Sequence, residues 1–163
     1  MFLRNSLSLY LFAGVLSVSF AQSTPIILKV ESKESLAGEV ICLHITGTNF
    51  RRILSTQYSL QWDPSVLTFA GLTNFKLPFM NKENFGVQAV DKGVLTCMWI
   101  DNSLKGVNLV DDSPLYQICF RVTGRSGASS AIKFTQKPTP FESVNLEERL
   151  VTINPVAGNI KVR

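Results

Sequence analysis

The chain has 163 residues, 45% hydrophobic and only 17% charged, against a charged share of roughly 25% in ordinary globular domains. That composition excludes a disordered or acidic-tail protein. A formal charge of +4, from sixteen Lys and Arg against twelve Asp and Glu, makes no case for nucleic-acid binding, and the length suits one domain with a self-sufficient core.

In chain order the first element is a leader. Arg4 supplies a positive start and Leu7 to Phe20 an apolar stretch, and Ser19-Phe20-Ala21 puts small residues at the recognition positions of a cut before Gln22. Residues 1–21 are therefore expected to be a signal peptide, and residues 22–163 a domain secreted to a periplasm or the cell exterior. The alternative is a membrane anchor, but Ser8, Ser17 and Ser19 interrupt the apolar stretch, which falls short of the roughly 20 apolar residues that span a bilayer. No later stretch is apolar for long enough to insert, so no membrane insertion is expected.

From Pro25 onward, short alternating apolar runs predict strands over 26–30, 40–45, 57–62, 66–69, 87–90, 94–100, 115–122, 131–134, 150–153 and 159–162. Turn residues separate them, among them Asp63-Pro64, Asp91-Lys92-Gly93, Asp111-Asp112-Ser113-Pro114, Pro138-Thr139-Pro140 and Asn154-Pro155. No stretch carries a helical period. The pattern predicts an all-β protein, an antiparallel β-sandwich with two sheets on one core, with a barrel as the alternative.

Side-chain parity predicts which residues face that core. Tyr58, Leu60 and Trp62 point one way, and Ser55, Gln57, Ser59 and Gln61 the other. Tyr116, Ile118, Phe120 and Val122 point inward, leaving Leu115, Gln117, Cys119 and Arg121 outward. In the strand over 94–100, Leu95, Cys97 and Trp99 point inward, which leaves Met98 and Ile100 on the outer face. Two apolar side chains there are either ordinary surface residues or residues covered by the loop 74–85, or they form the centre of a protein-binding face with a Ser and Gln rim.

Cys97 reads as a small buried hydrophobe. Cys42 and Cys119 remain as the pair a disulfide would join, the alternative being two unlinked thiols. No Cys-x-x-Cys occurs, which removes the usual zinc and redox readings.

Catalytic signatures are missing as well. The single histidine, His44, lies mid-strand without a nucleophile motif or metal-ligand partners. There is no Gly-x-Ser-x-Gly, no phosphate loop and no His-Glu-x-x-His, so no enzyme is expected. Asp101, Asp111 and Asp112 could form a glycosidase pair, yet turn chemistry explains Asp111-Asp112 more simply, and a calcium site there falls short of its ligand count. For sugar binding both tryptophans, Trp62 and Trp99, point the wrong way to stack on a glycan. Phe75, Phe79 and Phe85 either supply a platform or, as expected, plug the end of the sandwich.

The ordered set of strands resembles the cohesin domain, the dockerin-binding module of cellulosome scaffolds and related bacterial proteins. The resemblance runs through Gly38-Glu39-Val40-Ile41-Cys42-Leu43, then Tyr58-Ser59-Leu60-Gln61-Trp62-Asp63-Pro64-Ser65-Val66-Leu67. It continues through Gly93-Val94-Leu95-Thr96, Trp99-Ile100-Asp101-Asn102-Ser103, Leu115-Tyr116-Gln117-Ile118-Cys119-Phe120-Arg121-Val122 and Ser130-Ala131-Ile132-Lys133-Phe134. It implies a nine-stranded jelly roll with sheets ordered 8-3-6-5 and 9-1-2-7-4, in which Cys42 and Cys119 sit on neighbouring strands close enough to bridge.

The resemblance also implies dockerin binding by the 8-3-6-5 face. Ser55, Gln57 and Ser59 match contact positions on its strand 3, and Met98, Ile100 and Asp101 match those on strand 6. The implied function is a secreted, non-catalytic module engaging a dockerin-like protein in extracellular polysaccharide-degrading assemblies. No cofactor of its own is expected, since calcium would come with the dockerin. The alternative is a carbohydrate-binding module for a polysaccharide. Two departures stand out: a single module without repeats is not expected to gather several enzymes, and Ser and Gln replace acidic residues common on some cohesin faces.

Overall fold

The computed structural model describes residues 24–163, so the expected signal peptide over residues 1–21 lies outside the described residues. Among the described residues there are twelve strands: β1 Ile26–Val30, β2 Lys33–Ser35, β3 Val40–Thr48, β4 Ile53–Gln61, β5 Leu67–Thr73, β6 Phe85–Gly86, β7 Val94–Ile100, β8 Ser113–Val122, β9 Ser129–Thr135, β10 Glu142–Asn145, β11 Ile153–Val156 and β12 Gly158–Val162. One sheet runs β11-β1-β3-β8-β5. The other runs β2-β12-β9-β4-β7-β6, with β10 also paired to β4. The first is the 9-1-2-7-4 order that the cohesin resemblance implies, and the second contains the implied 8-3-6-5 order as β9-β4-β7-β6, extended beyond β9 by β12 and β2.

The extra strands have simple origins. β9 pairs with β4 over Ser59–Gln61 and β10 pairs with it over Ile53–Gln57, so β9 and β10 are two halves of one rail broken by an excursion over residues 136–141. The last strand of the jelly roll is likewise split. β11 pairs parallel to β1 in one sheet and β12 antiparallel to β9 in the other. At the crossover, Gly158 packs so closely on the Glu31 carbonyl that a Cβ has no room.

The strands bury apolar residues at alternate positions, as period-two geometry requires. Trp99, Tyr58, Tyr116, Phe50 and Phe120 are fully buried between the sheets. The rings meet edge to face, with centroids 5.0 Å apart for Trp62 and Phe120, 4.9 Å for Phe85 and Tyr116, and 5.2 Å for Tyr58 and Phe134. Their polar tips are satisfied, which avoids the cost of a bare buried donor: the Tyr58 hydroxyl donates to that of Tyr116 at 3.1 Å, Trp62 Nε1 to the Leu67 carbonyl at 3.0 Å and Trp99 Nε1 to the Pro78 carbonyl at 2.7 Å. Truncating such a ring costs about 3–5 kcal/mol.

Several boundaries differ from the sequence expectation. The strand expected over 87–90 is instead the short β6 followed by a single 3-10 turn, Val90–Lys92, which Gly93 closes in the left-handed region at φ 73°. The strand expected over 150–153 starts at Ile153, and Asn154-Pro155, expected as a turn, lies within β11. β11 is an edge strand, where a missing proline N–H is harmless. Leu115, expected outward, is fully buried. The β3–β8 register slips between Ile45 and Thr46, and the Leu115 side chain fills the space beside Gly47.

Candidate functional site

Antiparallel pairing puts directly opposed residues on one face, and the register across β10, β4 and β7 defines the outer face of the second sheet. Ser55 opposes Ile100, Gln57 opposes Met98 and Ser59 opposes Thr96. On the other side of β4, Val144 opposes Ser55 and Glu142 opposes Gln57. Five of the expected residues, Ser55, Gln57, Ser59, Met98 and Ile100, therefore share one face. Met98 is 54% and Ile100 47% exposed. The loop over residues 74–85 does not cover them; it packs along the edge of β7, where the Asn84 side-chain amide donates to the Met98 carbonyl at 3.0 Å.

Two of the expected residues are not on open surface. Ser59 points outward as parity requires, yet it is 0% exposed, because the excursion over residues 136–141 folds down onto it. Its hydroxyl accepts from the Thr139 N–H at 2.9 Å and donates to the Thr139 carbonyl at 3.1 Å. Asp101 is 1% exposed and lies on the inward parity of Cys97 and Trp99. One carboxylate oxygen accepts from the Ser103 hydroxyl at 2.7 Å and the Ser103 N–H at 3.0 Å, the other from the N–H groups of Lys105 and Gly106 at 3.2 and 2.9 Å. The Ser103 hydroxyl, then the backbone N–H groups, hold its pKa below the ordinary aspartate value against the opposing effect of burial. Asp101 thus shapes the turn after β7 and offers no carboxylate to a partner. Glu142 and Val144, not anticipated from sequence, lie on the same face in the neighbouring column of β10.

The other expectations about chemistry are placed as follows. Cys42 and Cys119, directly opposed on β3 and β8, are joined by a disulfide, and Cys97 is a buried free thiol. Burial pushes the Cys97 pKa up to about 12, which removes it as a nucleophile. His44 lies on the outer face of the first sheet between Glu31 and Gln117. Asp111 accepts from the Asn49 N–H at 2.9 Å, and Asp112 from the Thr48 hydroxyl at 3.0 Å, so both clasp the turn before β8. Trp62 and Trp99 are buried; Phe85 is in the core with Phe75 packed against it, and Phe79 is the one exposed aromatic side chain among the described residues.

A family model described as the cohesin domain matches residues 26–162, and the chain belongs to that family. The cohesin of OlpA from Clostridium thermocellum, in a complex with the dockerin Doc918, matches with a TM-score of 0.72 at 15% identity, over 86% of this chain and 100% of that one. The third cohesin of ScaC from Acetivibrio cellulolyticus, in complex with the ScaB dockerin, matches at 0.70 and 18%, over 84% and 98%. A non-cellulosomal cohesin from the archaeon Archaeoglobus fulgidus matches at 0.68 and 18%, over 86% and 92%. These likenesses establish the jelly-roll fold. A comparison with curated proteins finds no match.

Proposed function

We propose that this chain is a non-catalytic module that binds a dockerin-like protein through the outer face of β10, β4 and β7. It works outside the cytoplasm after loss of its leader, and its partner carries the calcium. The observation that carries this reading is the pair Met98 and Ile100, both about half exposed on β7 and flanked in register by Ser55 and Gln57, in a chain of the cohesin family. An apolar centre with a polar rim is the composition of a protein-binding patch, and affinity there concentrates in the few side chains that become fully desolvated. Solved relatives in complex with dockerins support a partner of that class.

The test is calorimetric titration with a panel of dockerins that includes Doc918 and the ScaB dockerin, first in calcium and then with a chelator. Saturable binding by at least one dockerin, lost on chelation, is expected. Retention on insoluble glycans with no dockerin bound would overturn the reading.

A further inference from the structure

The most exposed large apolar side chains among the described residues gather at one end of the sandwich. β3 and β7 finish there and β4 and β8 begin there. The segments that close this end carry Leu104, 68% exposed, Val110, 80%, and Leu150, 73%. The segment over residues 74–84 crosses between the sheets at the same end. Its Lys76 N–H donates to the Leu115 carbonyl near the start of β8 at 2.8 Å, and its Pro78 carbonyl accepts from Trp99 near the end of β7. That segment presents Phe79, half exposed.

Two of these tips are held in backbone that disfavours them. Leu104 at φ 54° and Phe79 at φ 61° lie in the left-handed region, which crowds a bulky side chain and suits Gly or Asn. Asn49 and Asn74 show the ordinary choice in neighbouring turns, and no other exposed large apolar residue has a positive φ. The Leu104 N–H donates to the Asp101 carbonyl at 3.0 Å, and the Met80 N–H to the Leu77 carbonyl at 3.2 Å across Phe79. Bulky apolar groups are thus fixed in water where a small polar one carries less strain, a combination that marks use rather than folding.

Charge says what covers them. Lys105 follows Leu104, Arg149 precedes Leu150, and Lys76 and Lys82 stand three residues to either side of Phe79. All four are exposed and belong to none of the ion pairs among the described residues. Most acids at this end are engaged: Asp101 within its turn, Asp111 with Arg51, Asp112 with Thr48 and Glu147 with Arg52. Glu83 and Glu148 remain, so the unengaged charge is positive. Polar residues such as Asn102, Ser103 and Asn108 separate the tips, which leaves no continuous apolar centre of the kind a protein interface packs. The boundary between lipid headgroups and acyl chains takes in separate side chains and sets Lys and Arg beside phosphates.

We infer that this end of the sandwich is a peripheral membrane-binding surface, which seats Phe79, Leu104, Val110 and Leu150 in the headgroup boundary of an anionic bilayer. No helix among the described residues is long and apolar enough to cross a membrane, so the attachment is interfacial. It uses the end of the sandwich and not a sheet face, and it stands or falls apart from dockerin binding.

The test is co-flotation of the exported chain, freed of its leader, with vesicles of phosphatidylcholine alone or mixed with phosphatidylglycerol. Binding to the mixed vesicles is expected, weakening as salt is raised. Leu104→Asn together with Phe79→Asn is expected to reduce it at least about tenfold, as for withdrawing large apolar side chains from the boundary, with the melting temperature near wild type. Lys105→Gln and Arg149→Gln are each expected to reduce it about fivefold. No flotation with either vesicle, or flotation that the Asn variant leaves unchanged, would overturn the inference. So would self-association in sedimentation velocity that the Asn variant abolishes while no vesicle is bound, which would assign the tips to a contact between copies.

Discussion

The two outward faces of the sandwich are built on the same alternation and finish differently. On the first sheet most outward side chains of β3 and β8 are tied to one another or to their neighbours, Val40, half exposed opposite Arg121, being the exception. Cys42 and Cys119 are bridged, the Gln117 side-chain amide bonds His44 Nε2 at 2.9 Å, His44 Nδ1 bonds Glu31 at 3.1 Å, and Lys33 pairs with Glu31 at 3.3 Å and donates to the Cys42 carbonyl at 2.9 Å. On the second sheet the corresponding positions hold Met98 and Ile100, half exposed, between polar residues of β4. A face whose groups satisfy one another has little left to offer a partner, whereas exposed apolar groups on a rigid sheet gain stability only when something covers them. That difference supports the proposal that recognition belongs to the second face.

The comparison breaks most visibly in two substitutions of opposite kind. Met98→Asp with Ile100→Asp is expected to abolish dockerin binding while stability changes by no more than about 0.5 kcal/mol per site, the usual cost at an exposed position; titration and thermal melts on one preparation check both halves. Replacing Cys42 and Cys119 by Ser is expected to do the reverse. Opening a bridge between residues 77 apart in sequence costs about 2–4 kcal/mol of stability, read by urea denaturation, with dockerin affinity unchanged.

A smaller, pH-dependent effect sharpens the boundary of the open face. The folded-state pKa of Asp101 is depressed, first by the Ser103 hydroxyl and then by the backbone N–H groups of the turn, so its stabilisation is present in full above the unfolded value of about 3.9 and fades as pH falls below it. Melts across pH 2–6 are expected to show a decline below about pH 4 that shrinks in Asp101→Asn. That variant is also less stable at neutral pH, because its amide N–H₂ group meets two N–H donors or the Ser103 pair.

Much of this was legible in the sequence. Alternation in 94–100 and, Leu115 apart, in 115–122 separates core from surface, and it marks Met98 and Ile100 as apolar residues on an outward face. Ser59 shows the limit of parity, which fixes the direction of a side chain but not whether a distant segment covers it; Thr139 lies eighty positions away. Asp101 joined the expected face by resemblance alone, against its own inward parity. β10 escaped notice because its core-facing position is Ser143, fully buried and held by a hydroxyl bond to the Ser55 carbonyl at 3.0 Å, so Phe141-Glu142-Ser143-Val144 lacks the apolar alternation that betrays a strand. With β10 went Glu142 and Val144.

Methyl NMR of methionine-labelled protein tests the central claim most directly. Met80 is buried and Met98 is half exposed on the proposed face, so each molecule carries its own control. On titration with a bound dockerin the Met98 methyl signal is predicted to shift and broaden in step with binding while that of Met80 stays in place. Saturating binding with an unmoved Met98 signal would contradict the account and put the partner on another surface.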